Sequence, residues 1–589
     1  MNSISWVLKK IRSVLPQRER KKVFFLLAAM IFGGILELAG ASAVFPLISI
    51  ITAPDAELPS AVYMILPEAV ILDRSSLIIF LAVTLIVIYA GKNLFLLFMY
   101  RNIYRFVFDG AERTSTELME LFLNAPYSIY LRLEIPELQR IVTSDVDGLY
   151  QFMLNFLQLI SECVICLILS ILLFVVSPLM TLFLFVILGL TAGGYTLYSR
   201  KKAKKLGADM LKYNTFNNRN ILDSFSSVKE LRILGREEFF IKKQKEIRSG
   251  MADINTAQSM LVQIPRPLAE TVCIAAVMVI IIFTMLRGNA PGEMVPVLAV
   301  FAVAAFRMLP SVGKINGFIS NMTFFMPFVN DLYEKTGEIE ALQKQSGIKT
   351  KTDNPGGITF EKEFKLKDVC FDYGNGKKIL DKVSLEIKRG ESIGVVGESG
   401  AGKTTLVDVI MGLLTPESGE ISADGTDIKN DMHGWHKLIG YVPQSIYLSS
   451  GAVRENVAFG VEAGEIDDAK VERALKQAQA FDFVMKLKDG INTSIGDRGV
   501  RLSGGQRQRI GIARALYEDP ELLVFDEATA ALDGETEKAL MDSIGSLKDE
   551  HTMIIIAHRL ETLSECSRII EVRDGGIKET SYEKIMKGE

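Results

Sequence analysis

Gly397-Glu398-Ser399-Gly400-Ala401-Gly402-Lys403-Thr404 has the form GxxxxGK[ST], and the chemistry of that string is phosphate binding. It lies between a β-like run, Glu391–Val396, and an apolar-periodic segment, Leu406–Leu414. That strand–loop–helix setting separates a phosphate-binding loop from a chance glycine-rich turn. Gly397, Gly400 and Gly402 let backbone N–H groups close around phosphate oxygens, and Ser399 and Thr405 belong to the same set of nucleotide contacts. Lys403 is placed to reach the β/γ oxygens, and Thr404 to ligate Mg²⁺. Downstream, Leu522-Leu523-Val524-Phe525-Asp526-Glu527 is an apolar strand tipped by two carboxylates. Alone it says little, but downstream of Lys403 it supplies the second half of a Mg²⁺ site. Asp526 is the metal-side acid, and Glu527, one residue on, is placed to polarise an attacking water. Between them, Leu502-Ser503-Gly504-Gly505-Gln506 precedes a basic helix, Arg507–Tyr517.

The pentapeptide Leu502–Gln506 resembles the signature motif of ATP-binding-cassette (ABC) ATPases, and the resemblance covers 358–589. Tyr373, in Phe371-Asp372-Tyr373, resembles the aromatic that stacks on adenine. Gln444, in Tyr441-Val442-Pro443-Gln444, resembles the Q-loop glutamine that senses Mg²⁺ and contacts a membrane domain. Ala530-Ala531-Leu532-Asp533 is similar to the D-loop, and His558, in Ala557-His558-Arg559, to the switch histidine at the γ-phosphate. The resemblance thus implies ATP and Mg²⁺ as cofactors and Glu527, His558 and Gln444 as catalytic residues. It implies Thr404, Gln444 and Asp526 at the metal, and Ser503, Gly504, Gly505, Gln506 and Asp533 at the nucleotide. In this family each ATP is clamped between one subunit's Lys403 loop and the other's Ser503 signature. The chain has one of each, so a dimer is implied, and the intact Glu527, His558 and Ser503 favour a homodimer with a two-fold axis. One departure is Asp497, in Gly496-Asp497-Arg498-Gly499, where exporters of this type usually carry Glu; a slightly shorter reach to the coupling helices is expected. The other histidines, His433, His436 and His551, read as surface residues. Cys163 and Cys166 read as small apolar residues within a span.

Such a site needs a rigid α/β frame, and a second frame precedes it. The chain has 589 residues, room for about three or four ordinary domains. Its 66 basic and 70 acidic residues show no excess that points to nucleic acid. Five cysteines and four histidines exclude a disulfide scaffold and argue against a His-rich metal site. Apolar residues make up 49% but are unevenly spread, which excludes a wholly soluble protein. Runs long enough to cross a bilayer as helices are Val23–Thr52, Leu77–Phe108, Leu149–Val176, Leu179–Tyr198, Leu261–Leu286 and Met294–Val329. The first is too long for a signal peptide and lacks a small-residue cleavage site, so no processing is expected. Basic residues crowd the N-terminus and 199–250, whereas loop 53–76 carries only Arg74 among several acids. Both termini, 109–148 and 199–258 are therefore expected in the cytoplasm of a bacterial inner-membrane protein, the two segments as helical extensions of the spans. The expected organisation is an all-α transmembrane domain of six spanning helices, 1–340, then a polar linker, 341–357, ending in Asp353-Asn354-Pro355-Gly356-Gly357. An α/β P-loop nucleotide-binding domain, 358–589, follows.

Six spans before one ATPase resemble a half-transporter exporter of the domain-swapped type. That resemblance places cytoplasmic coupling turns near Asn124–Leu131 and Leu222–Val228. Cargo is read from intramembrane polar residues. Lys92, Arg266 and Arg307 fall about 20–30 Å of helix from the external ends, in one cytoplasm-side layer with Glu37 and Glu270. A cavity ringed by such cations suits a phosphate or pyrophosphate. The competing reading is that Glu37 and Glu270 neutralise two of them in internal pairs. Loop 53–76, with Leu58–Pro67 as a short helix at the outer leaflet, the segment Glu37–Ile51 and the arginine placement together resemble lipid-linked oligosaccharide flippases. The expected function is ATP-driven translocation of an amphipathic, (pyro)phosphate-bearing lipid-linked oligosaccharide. The alternatives are a general lipid or multidrug exporter, with a more apolar cavity, and a membrane-tethered regulatory ATPase that moves nothing.

Overall fold

The computed structural model describes residues 17–42, 74–176, 178–286, 291–346 and 357–587, apart from 375, 497–498, 528–543, 546, 549, 558–562 and 565. They form two compact units. One comprises residues up to Leu123 and Leu133–Ile339; the other comprises Asn124–Arg132 and Glu340 onward.

Among the described residues of the first unit the apolar runs are helices: α1 (Gln17–Ser42), α2 (Arg74–Leu123), α3 (Ile135–Arg140), α4 (Val146–Val176), α5 (Pro178–Ser226), α6 (Val228–Leu234), α7 (Glu237–Gln263), α8 (Pro265–Leu286) and α9 (Pro291–Ser346). α2 and the Ile135–Ile168 stretch are long and apolar enough to cross a membrane. Large apolar side chains face outward, among them Leu94, Leu97, Leu190 and Ile274, each more than 60% exposed. An exterior of that kind suits lipid rather than water. α2, α5, α7 and α9 run on into polar sequence as unbroken helix, because those stretches hold few helix breakers. The expected single span from Leu261 to Leu286 is instead two helices, α7 and α8. Pro265 has no N–H to donate into the preceding turn and takes the first position of the new helix. α9 likewise continues to Ser346, into the linker expected from residue 341, since Gly347 is the first breaker after Gly337. The outer-leaflet helix expected within 53–76 lies outside the described residues.

The end of this unit around α3 is fastened by charge. Arg140, 2% exposed, donates to Asp145 at 2.5 Å and Asp331 at 2.6 Å, joining the base of α4 to α9. A buried guanidinium needs such partners, because an unpaired one is heavily penalised. Between Arg140 and α4 the chain makes one π-helical turn, Ile141–Asp145.

The second unit is built on two sheets. The antiparallel one has the order β2-β1-β4-β5, with β1 Glu363–Asp372, β2 Lys378–Lys388, β4 Ser418–Ala423 and β5 Thr426–Asp427. The larger sheet runs β10-β9-β3-β8-β7-β6, with β3 Ser392–Val396, β6 Ile439–Val442, β7 Leu522–Asp526, β8 Thr552–Ile556, β9 Arg568–Arg573 and β10 Gly576–Thr580. β9, β3, β8, β7 and β6 are parallel, and β10 is antiparallel at the edge. β7 and β8 are buried at every position, as strands covered on both faces must be. The turn Tyr127–Ile129 belongs to this unit, where Gln343 donates to the carbonyl of Asn124 at 3.3 Å.

Candidate functional site

The parallel strands β3, β8, β7 and β6 end along one edge of the sheet, and the sequence motifs follow those ends. In open α/β sheets ligands bind outside the carboxyl ends of the strands. β3 leads into the glycine loop, and helix α10 (Lys403–Ile410) leaves it with Gly402 as N-cap at φ 103°. Gly397 sits at φ 148° and Gly400 at φ 81°, backbone conformations that only glycine adopts cheaply. A Cβ on Gly397 would also drive into the carbonyl oxygen of Val572. Lys403 is buried and curls back over the loop, its ammonium donating to the carbonyls of Gly397 (2.8 Å) and Glu398 (3.1 Å). Backbone N–H groups, a helix N-terminus and an ammonium thus converge, which is the build of an anion cradle.

β7 delivers Asp526 and Glu527 opposite that cradle. Asp526 is 9% exposed and near Tyr441, whose hydroxyl donates to it at 3.4 Å. Burial, reinforced by the charge of Glu527, pushes the Asp526 carboxyl up. Asp408 on α10 is pushed up to about 6 by burial and by Asp526. Burial also raises the Tyr441 phenol, with the same two acids adding to it. Acids crowded this way are short of positive charge. Carboxylate oxygens are the donors that Mg²⁺ takes, which suits a cation held here partly by phosphate. Among the described residues no three His, Cys, Asp or Glu converge into a metal cage of their own.

β6 leads to Gln444, whose amide donates to the Glu527 carboxylate at 2.6 Å. Tyr373, at the end of β1, is 44% exposed; its ring stands edge-on to Phe371 and its hydroxyl lies 3.0 Å from that of Thr405. Ser503 caps helix α11 (Gly504–Leu516): its Oγ accepts from the N–H of Gln506 at 3.3 Å, and its N–H donates to the Gln506 side chain at 2.9 Å. The capping box leaves Ser503 exposed at a helix N-terminus. Asp533, His558 and Asp497 lie outside the described residues. His551, expected at the surface, is instead 5% exposed, because Nδ1 lies 2.7 Å from the carbonyl of Pro520 where β7 and β8 begin.

The intramembrane cations have different settings. Lys92, expected to line the cargo cavity, is 7% exposed and bridges Glu37 at 2.8 Å, with Tyr89 below its ammonium. A buried ammonium opposite a carboxylate on α1 is neutralised there. Arg266 bridges Glu270 at 3.0 Å through Nε alone, stays 64% exposed, and lines a cavity of about 260 Å³. Arg307 lies on α9, but its side chain is outside the described set. Sequence reasoning missed Lys314 and Glu162, which bridge α9 and α4 at 3.2 Å. Both are charges inside expected spans, the signal used for Arg307.

Residues 380–530 match the family model described as ABC transporter. The chain is 27% identical over 485 residues to the heterocyst differentiation ATP-binding protein HepA of Nostoc sp., covering 81% of this chain and 77% of that one. It is 31% identical over 358 residues to the ATP-dependent lipid A-core flippase of Saccharophagus degradans, covering 61% and 59%. Against the flippase of that name from Francisella tularensis identity is 42% over 236 residues, covering 40% and 37%. A bacterial Atm1-family ABC exporter with ATP bound has the same fold: TM-score 0.72 at 19% identity, over 97% of this chain and 96% of that one. A phosphate-binding loop, a signature helix and paired acids on one sheet edge give residues 380–530 the ATPase domain of the ABC transporters, in a chain whose fold is that of an ABC exporter.

Proposed function

We propose that this exporter is a flippase for an amphipathic lipid bearing phosphate or pyrophosphate, with a lipid-linked oligosaccharide as cargo. The carrying observation is Arg266, a guanidinium left largely exposed in a groove between the helices of the first unit. A guanidinium grips phosphate bidentately, whereas a general lipid or multidrug exporter needs a more apolar cavity. Relatives named as lipid A-core flippases support the lipid class. Two copies of the chain form the working unit in a bacterial inner membrane, with both termini cytoplasmic.

In the ATPase, Lys403 and the loop amides, with Ser399 and Thr405, hold the triphosphate, and Tyr373 takes the adenine on its exposed ring. Thr404, Asp526 and Gln444 hold Mg²⁺, which when bound neutralises the phosphate charge. Glu527 orients and polarises the attacking water, with His558 at the γ-phosphate. Ser503, Gly504, Gly505 and Gln506, with Asp533, close the site from the second subunit. The domains run 1–340 and 358–589, and 341–357 joins them. The turns at Asn124–Leu131 and Leu222–Val228 carry motion between them.

The test is ATP-dependent movement of a glycosylated polyprenyl diphosphate in vesicles. Arg266→Ala and Arg307→Ala are expected to lose transport, and Arg→Lys at either position to recover only part. If the Arg266→Ala/Glu270→Ala pair moves cargo normally, the arginine is structural and the phosphate reading is dropped. Absence of any ATP-dependent movement favours the regulatory ATPase.

A further inference from the structure

Two cavities open between the helices of the first unit, and Lys314 and Phe318 on α9 line both. The larger, about 420 Å³, is lined by Tyr100 and Tyr104 of α2 and Gln158, Ser161 and Glu162 of α4. The smaller, about 260 Å³, is lined by Arg266 of α8 with Gln263 and Asn321. α9 packs closely here because Gly313 faces α8 and Gly317 faces the end of α7. A Cβ on Gly313 would lie 3.0 Å from the Cβ of Arg266, and one on Gly317 3.2 Å from Val262.

The ion pair at the junction is uneven. Glu162 is 8% exposed and is held a second time by the hydroxyl of Ser311 at 2.8 Å. Lys314 is 56% exposed, and its contacts to the carboxylate are 3.2 and 3.3 Å. The carboxylate is anchored and the ammonium can swing. Counted along α8 and α9, Arg266 and Lys314 both lie about 20 residues, or about 30 Å, from the external ends. That is the thickness of the hydrocarbon core, so both cations stand at the level of inner-leaflet headgroups.

We propose that Lys314 is the anion hook of this transporter: it leaves Glu162 for the cargo's phosphate, which Arg266 grips from the other side. The sugar next to that phosphate enters the larger cavity. Two tyrosine rings offer faces for its C–H surface, and Gln158 and the released Glu162 accept its hydroxyls. Ser311 keeps Glu162 hydrogen-bonded when the ammonium departs. This inference rests on the phosphate-lipid reading above and adds which residues select the headgroup.

The experiment measures equilibrium binding to the full chain in phosphatidylcholine nanodiscs. The probes are farnesyl diphosphate, the same compound carrying one N-acetylglucosamine, and lipid A as a phosphorylated disaccharide from a different source. Lys314→Ala is expected to weaken phosphate probes about tenfold or more, and Lys314→Arg to restore most of it. Tyr104→Ala is expected to weaken only the sugar-bearing probes. Whichever glycolipid binds more tightly to the wild type, its affinity is expected to show the same Lys314 dependence. Because Lys314→Ala strands a buried carboxylate, Lys314→Ala/Glu162→Gln removes both charges; it is expected to melt near wild type and still lose affinity. If that double variant binds every probe as wild type does while Arg266→Ala does not, the hook is overturned and the cargo class stands. If the wild type binds none of the probes, both fall.

Discussion

Glu527 carries its carboxylate on a left-handed backbone, φ 49°, with its N–H bonded to the carbonyl of Ile556 and its side chain held by Gln444. A non-glycine residue there is strained, and the strain persists because β7 fixes Asp526 before it and β8 holds its own N–H. Glu527→Gln keeps the shape and a hydrogen bond to Gln444 but removes the charge proposed to polarise water. ATP binding is expected to persist, because Lys403 and the loop amides are untouched, while steady-state hydrolysis falls by about a hundredfold or more. Turnover within a few-fold of wild type sinks the assignment. Asp408 gives a pH prediction. Its folded pKa of about 6 lies above the ordinary carboxylate value. Above pH 6 both folded and unfolded forms are ionised and the fold bears the whole cost. As pH falls below 6 the folded carboxyl takes its proton first and the cost is relieved. Asp408→Asn should therefore raise the melting midpoint at about pH 7.5, with the gain shrinking to nothing near pH 4. An equal gain at both pH values contradicts the burial account.

At the scale of elements, α5 and α9 meet at Gly207, where a Cβ would run into the backbone carbonyl of Phe324. A backbone atom cannot rotate away, so Gly207→Ala must separate the two helices, at a cost of about 1–3 kcal/mol. Gly189, on the same helix with nothing within 4 Å of its Cβ position, is the control. Alanine there should be neutral or gain about 1 kcal/mol of helix preference. Thermal melts of the two variants in nanodiscs compare them, and equal melting refutes the close approach. This contact shows what the sequence conceals. The phosphate loop was legible because its chemistry fixes residue types within eight consecutive positions, and β7 because a buried strand tipped by acids is local. The long helices were legible as apolar runs. Helix-to-helix detail was not: Glu162 and Lys314 stand 152 residues apart in the chain, and Lys92 meets Glu37 across two spans. No periodicity reports which faces meet. The α7–α8 break was readable in principle from Pro265 and Pro267, but a hydropathy window averages through a proline.

At the scale of the whole molecule, the chain holds one Lys403 loop at the end of β3 and one Ser503 cap at the start of α11. β8 and β7 lie between β3 and β6 in the sheet, and α11 enters β7 at its opposite end. The cap on α11 spends its hydrogen bonds on its own helix through Gln506 and leaves the Ser503 end exposed, as a surface awaiting a second molecule's nucleotide requires. If each ATP is clamped between two copies, damage to the two motifs must complement. A Lys403→Ala subunit paired with a Ser503→Ala subunit carries both lesions in one site and none in the other. The mixed dimer, purified through two different affinity tags, should hydrolyse ATP faster than either mutant homodimer. Were each chain to build its site alone, every site in the mixture would carry one lesion, and the rate would fall midway between the two homodimers. Full activity in a dilute, demonstrably monomeric preparation would also exclude a shared site. The same preparation reports on coupling. With one site intact, transport at half the wild-type rate means that the sites fire independently; hydrolysis without transport means that both must close to move cargo.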